Sequence, residues 1–265
     1  MAWVRRHLVV IVGLLVMGYI LLPNIVVILY SFNQPKGRYN LTLDLAHPTL
    51  NAWLHPCAAP GMCSALGLSL QIGIVASLVA AVMGTMIAFA IGRHRFRGRS
   101  ATNLLIFMPM ATPEVVMGSS LLTLFIAMGI PTGKLTILIA HIMFCVSFVV
   151  VTVKARVASL DPRLEEAAAD LYANEAQTFW RVTFPLVAPG IAAGALLAFS
   201  LSFDDYIITN FNASPTSITF PMYVWGAAQR GIPVQINVIG TVMFLGALAI
   251  VGAAQIVGAR RNRKV

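Results

Sequence analysis

Charge is scarce in this chain. Of 265 residues only nine are Asp or Glu and 18 are Lys or Arg, 10% in all, while 58% are hydrophobic. So little charge excludes an ordinary water-soluble protein, because the apolar surface is too large to hide in one core and lipid must cover much of it. A phosphate loop of the G-x-x-x-x-G-K-[ST] kind is absent, so the chain has no means of its own for cradling nucleotide phosphates. The five histidines, His7, His47, His55, His94 and His141, show no metal-ligand spacing, and no Ser-His-Asp set has a nucleophile-elbow context. Neither a metal site nor catalysis is assigned. The basic residues form no aromatic-interleaved patch, which argues against a nucleic-acid partner. Cysteine is rare too: Cys145 sits in an apolar run and reads as an inert small hydrophobe, which leaves Cys57 and Cys63.

Long apolar runs are what the chain has instead. About 20 apolar residues cross roughly 30 Å of hydrocarbon, and six runs qualify, at about 8–30, 66–91, 102–128, 135–153, 187–209 and 235–258. The first follows Arg5 and Arg6 as a secretory leader would. It is too long for one and no Ala-x-Ala-like site follows Ser31, so it is expected to be a retained span. The chain thus reads as one all-α, six-span membrane domain, 1–265. Lys and Arg are held on the cytoplasmic side. With the N-terminus inside, the cytoplasmic segments carry Arg5, Arg6, Arg93, Arg95, Arg97, Arg99, Lys154, Arg156, Arg163, Arg181, Arg260, Arg261, Arg263 and Lys264, which is 14 of the 18. Only Lys36, Arg38, Lys134 and Arg230 remain outside, so topology accounts for the net charge of +9. Cys57 and Cys63 then fall in the first outer loop, about 31–65, flanking Pro60 and Gly61 on the oxidising side. A disulfide closing this turn and a pair of free thiols are both open readings.

One polar island, DPRLEEAAADLYANEAQTFWRVTFPLVAP from Asp161 to Pro189, interrupts the hydrophobicity on the cytoplasmic side. Leu160, Leu164, Ala167, Ala168 and Leu171 recur at helical spacing, with Arg163, Glu165, Glu166 and Asp170 largely off that stripe. Asp161 before Pro162 is a start signal, predicting a helix over about 162–171. Asn174 with Gln177 has capping-box spacing and predicts a second short helix before Pro185 disturbs the pattern. The pair makes a hairpin in water, either a grip for a soluble partner or a loop folded back on its own membrane domain.

Here the chain resembles the inner-membrane permease subunits of ATP-binding-cassette importers, whose signature is Glu-Ala-Ala, a glycine four residues on, then an aliphatic residue and Leu-Pro. Glu166, Ala167 and Ala168 supply the start, and Val182, Phe184 and Pro185 the end. Tyr172 stands where the family has glycine, a residue that turns at positive φ without steric cost. Tyrosine must either strain there or leave the turn to Ala173 and Asn174. The resemblance implies the type I importer permease fold, six transmembrane helices with a cytoplasmic coupling hairpin at about 160–185 that docks on a separate ATPase. It puts the coupling role on Glu166, Ala167 and Ala168, with Arg163, Asp170 and Leu171 flanking. ATP and Mg would be held by the partner, leaving no cofactor in this chain.

The stretches LLPNIVVILYSFN (21–33), LGLSLQIG (66–73), FRGRS (96–100), MPMATPEVVMGSSLLTLF (108–125), LLAFSLSFDDYIITNF (196–211) and PMYVWGAAQRGIPVQINVIGT (221–241) resemble the second permease of spermidine/putrescine importers. This implies a bacterial inner-membrane protein with both termini cytoplasmic. Its implied partners are a second, homologous permease, two copies of a cytoplasmic ATPase and an extracytoplasmic polyamine-binding protein. The binding protein would dock on the outer loop 31–65 or on 210–234, where Tyr223, Gln229 and Arg230 are candidate contacts.

A polycation crossing lipid needs carboxylates, and acidic residues inside a membrane are costly enough to be read as functional. Only Glu114, Asp204 and Asp205 lie within the expected spans. Glu114 follows Pro109 and Pro113, which mark a bend beside a cavity, although pairing with Thr112 or Ser119 would explain it as well. Asp204 and Asp205 lie toward the outer side, ~26 Å along the fifth run at ~1.5 Å per residue. Successive helical residues point ~100° apart, so one aspartate, by preference Asp204, faces the pathway while the other caps or pairs. Tyr206 and Phe203 could stack on an alkyl-ammonium chain or serve as interfacial belt aromatics. Other readings stay open: a permease for iron, sulfate or opines, or a scaffold whose hairpin recruits a cytoplasmic protein. A third is an ion-gradient transporter with the same carboxylates as relay, though six spans with no visible repeat disfavour it.

Overall fold

The computed structural model describes residues 2–34, 42–44, 46–94 and 96–262, and all regular structure among them is helical. In chain order the helices are α1 (Ala2–Ser31), α2 (Asn51–Leu54), α3 (Met62–Arg93), α4 (Arg99–Ala111), α5 (Glu114–Ala127), α6 (Lys134–Ala158), α7 (Arg163–Asp170) and α8 (Glu175–Thr178). A π-helical turn (Phe179–Thr183) leads into α9 (Phe184–Asp204), followed by α10 (Ile207–Asn212), α11 (Phe220–Arg230) and α12 (Val234–Asn262). The chain divides into two compact units, Met1–Cys63 with Val224–Val265, and Ser64–Tyr223.

In the first unit α1 lies along α12, and α2 packs Ala52 and Trp53 on Val234 and Val238 of α12. No residue in the most apolar stretch of α1 is buried, so lipid or another chain must cover that helix. In the second unit α6 is the central post. Val149, Val150, Val153 and Val157 of α6 meet Ala80 and Ala88 of α3 and Val187 and Ala198 of α9. Between helices in lipid such packing depends on small residues that let backbones approach. Gly84 shows the tolerance: a Cβ there would stand 2.7 Å from Val149.

Among the described residues, four helices are long and apolar enough to cross a membrane: His7–Ser31, Met62–Arg93, Lys134–Ala158 and the continuous Glu175–Asp204. The expected third span is not straight, because α4 and α5 meet at 105°. Pro113 has no N–H to continue the ladder and forces Thr112 into the extended region (φ −79°, ψ 131°). Counted together, this pair makes a fifth span. Within α12, which runs to Asn262, the described apolar stretch is Val234–Ile250. The six expected runs are therefore all helical without being six straight spans.

Two boundaries differ from expectation. Pro185 does not end the second arm of the hairpin, since α8 runs through the π turn into α9. Phe184 N–H donates to the Phe179 carbonyl five residues back, and that wider turn moves carbonyls clear of the proline ring. The expected run 187–209 ends early, at Asp204. Asp205 is extended (φ −64°, ψ 125°) and α10 starts afresh. The segment 210–234, expected on the outer side, holds α11.

Candidate functional site

At the hairpin end of the second unit, α7 and α8 form two short arms. Asn174 accepts from the Gln177 N–H (2.8 Å), and Gln177 Oε1 accepts from the Asn174 N–H (3.1 Å), a complete capping box. The turn before it is a Schellman motif. Ala173 N–H donates to the Ala168 carbonyl (3.1 Å) and Tyr172 N–H to the Ala169 carbonyl (2.9 Å). This motif needs a left-handed residue, and Tyr172 takes it, with φ +60°. A side chain in that conformation costs about 1–2 kcal/mol.

The hairpin is tied back to α3. Arg93 donates to Glu165 Oε2, and the Thr183 hydroxyl donates to Glu165 Oε1 (2.7 Å). Partial burial pushes the Glu165 carboxyl up, but the Thr183 hydroxyl and the Arg93 guanidinium outweigh it and hold the group below the ordinary carboxylate range. Phe179 stacks edge-on against Phe89 of α3 (5.5 Å) and against Trp180 (5.1 Å). A cavity of about 540 Å³ lies between these parts, lined among others by Phe89, Arg93, His94, Glu165 and Phe179. Of the residues expected to couple, Ala168 is buried, and Arg163, Glu166, Ala167, Asp170 and Leu171 are exposed. The carboxylate that holds the hairpin to the helices is thus Glu165, and its neighbour Glu166 faces outward.

At the break between α9 and α10 the two aspartates part company. Asp205 turns inward and caps α10, accepting from Ile208 N–H (3.3 Å), Thr209 N–H (2.8 Å) and the Thr209 hydroxyl (2.7 Å). His141 of α6 stands beside it, Nε2 3.3 Å from Asp205 Oδ2. That ring also meets Thr209 Oγ1 through Nε2 (2.9 Å) and Ser202 Oγ through Nδ1 (2.7 Å). Since the one Thr209 hydroxyl proton goes to Asp205, Nε2 must carry the hydrogen it gives to Thr209. Asp204 is exposed and forms no bond to another described side chain. Phe203 is buried on Phe199 (5.9 Å) and near Phe220 (6.3 Å), so its ring is committed to packing; Tyr206 is half-buried.

Glu114 opens α5 at the 105° break and is exposed. The hydroxyls that could have paired with it are spent elsewhere, Thr112 on the Met108 carbonyl (2.7 Å) and Ser119 on the Val116 carbonyl (3.1 Å). A cavity of about 300 Å³ lies at this bend, lined by Met108, Pro109, Thr112, Met117 and others but not by Glu114. One turn beyond Glu114, Gly118 lets α10 approach, since a Cβ there would lie 2.8 Å from the Phe211 ring. The helix that starts with Glu114 therefore packs on the helix that Asp205 caps, and no bond joins Glu114 to either aspartate. In the other unit Cys57 and Cys63 are joined by a disulfide, Cα atoms 5.5 Å apart.

Two participants escaped the sequence reading. Glu165 sits next to the motif glutamate, and nothing local distinguishes them; the deciding partner, Arg93, is 72 residues away. His141 has no metal-ligand spacing, yet an ionisable residue inside an apolar run is itself a signal. Among the described residues no cluster suited to a metal ion occurs.

The sequence profile of the family described as "Binding-protein-dependent transport system inner membrane component" matches residues 80–263. The chain is 37% identical to the putrescine transport system permease protein PotI of Escherichia coli (strain K12), over 92% of this chain and 88% of that one. It is 32% identical to the spermidine/putrescine transport system permease protein PotC of Haemophilus influenzae, over 88% and 90%. The crystal structure of a bacterial ABC transporter involved in the import of the acidic polysaccharide alginate superposes with a TM-score of 0.67 over 98% of both chains at 17% identity, a likeness of fold.

Proposed function

Because the chain belongs to the family of binding-protein-dependent transport system inner membrane components, we propose that it is the permease of an ATP-driven polyamine importer of the spermidine and putrescine class. The observation that carries this reading is the 37% identity to a putrescine permease over nearly the whole of both chains. The protein is a multi-pass inner-membrane transport subunit. In this reading both termini and the hairpin face the cytoplasm, as the distribution of basic residues favours. Two copies of a cytoplasmic ATPase supply the energy, a homologous permease supplies the other half of the pathway, and an extracytoplasmic binding protein delivers the polyamine.

The chemistry of a polyammonium cargo suits the two exposed carboxylates, Glu114 and Asp204, each at the end of a helix where the ladder is interrupted. A carboxylate at such a break can hold an ammonium group where a neutral residue could not. Asp205, saturated by Thr209 and His141, acts behind them as a structural group. Alternating access is driven through the hairpin by Glu166, Ala167 and Ala168, with Arg163, Asp170 and Leu171 flanking. The test is ATP hydrolysis by the reconstituted complex with its binding protein. Loading that protein with putrescine or spermidine should stimulate turnover; stimulation only by iron, sulfate or an opine would assign another cargo.

A further inference from the structure

Tyr172 occupies the one position in the hairpin turn where a side chain is a liability, and its ring gives nothing back to this chain. The Schellman bonds are made by the backbone alone, so glycine would form the same turn without strain. The ring is 98% exposed and bonds to no described residue. Its neighbour Leu171 is exposed as well, so the tip of the hairpin presents a tyrosine and a leucine side by side. Beneath them the Arg93–Glu165–Thr183 tie, the aromatic contacts of Phe179 and the Asn174–Gln177 capping box hold the two arms together.

We infer that Tyr172 is an anchor that selects the cytoplasmic ATPase, its ring seated in an apolar slot of that subunit with a polar group at the end for the phenol. This deepens the reading proposed above and rests on it. Tyrosine is a residue type that dominates interface energies, because it buries a large rigid area, loses little entropy and carries a hydrogen-bonding tip. Backbone strain retained at an exposed position marks a site where the side chain has a use outside the fold. The occupant is the ATPase because the function proposed above sets that subunit against this hairpin, a polar island between the expected spans.

The test is a titration of labelled ATPase subunit onto the permease pair in nanodiscs, with Tyr172→Gly, Tyr172→Phe, Leu171→Asp and Glu166→Ala beside the parent chain. Tyr172→Gly relieves strain and should leave thermal unfolding of the permease unchanged or raised, yet weaken ATPase affinity by about tenfold or more, while Tyr172→Phe keeps most of it. A glycine variant that binds as tightly as the parent, while Leu171→Asp and Glu166→Ala weaken binding, overturns the anchor alone. If all four bind like the parent, the hairpin is not the ATPase contact, and the coupling reading falls with the anchor.

Discussion

The two ends of the second unit each join a carboxylate to a basic side chain and a threonine hydroxyl, in different surroundings. At the hairpin a carboxylate, Glu165, takes a cation, Arg93, and a threonine hydroxyl, Thr183; at the α9/α10 break Asp205 takes His141 and Thr209. The first set is wet, with the Arg93 and Glu165 side chains 27% and 34% exposed. The second is dry, with His141 and Asp205 at 2% and 5%. Water screens the first pair, so breaking it costs only about 0–1 kcal/mol. Removing one member of the second strands a buried polar or charged group, at about 3–5 kcal/mol. In the reading proposed here, the weak tie suits a hairpin that follows its partner, and the strong clamp suits a fixed corner beside the pathway.

The sharpest way to break this contrast is Asp205→Ala. It should lower the unfolding free energy of the permease by about 3–5 kcal/mol, read from denaturant or thermal unfolding in detergent, with His141→Ala a close second. A variant as stable as the parent would remove the clamp. Glu166→Ala comes next: ATPase-coupled uptake should fall severalfold with no loss of permease stability, because Glu166 is exposed beside the inward-facing Glu165. Full uptake with normal ATPase association would take the hairpin out of the mechanism.

Relief of strain is smaller. Tyr172→Gly should leave the stability of the isolated permease unchanged or raise it by up to about 1 kcal/mol, the relieved strain being partly offset by the freer unfolded chain, as read in the same unfolding assay. The smallest effect belongs to Arg93→Ala, under about 1 kcal/mol, and it carries a pH signature. Folded Glu165 has a depressed pKa, so its contribution is full above the ordinary carboxylate range and is lost as pH falls through the lowered value. Parent and Arg93→Ala should therefore converge in strongly acidic buffer and separate near neutrality. A difference that grows on acidification would contradict the tie.

Features decided by nearby residues could be read from the sequence. The Asn174–Gln177 cap, the bend at Pro113 and the apolar runs each depend on residues within a few positions, and local chemistry specified them. What escaped was decided at a distance. His141 meets Ser202 and Thr209, 61 and 68 residues on, so its role depends on how α6 packs beside α9 and α10. The helix end at Asp204 has no glycine or proline to announce it, because the following aspartate caps a new helix. Tyr172 is the converse case. The sequence posed the choice between a strained tyrosine and a displaced turn, and the backbone takes the strained one.

The measurement that bears most directly on the account is uptake of labelled putrescine, spermidine and spermine by the full complex in proteoliposomes, compared among the parent chain, Glu114→Gln and Asp204→Asn. The expected result is ATP-dependent polyamine uptake by the parent, reduced severalfold in both variants while the complexes still assemble and hydrolyse ATP. Absence of polyamine uptake by the parent, or unchanged kinetics in both variants, would contradict it.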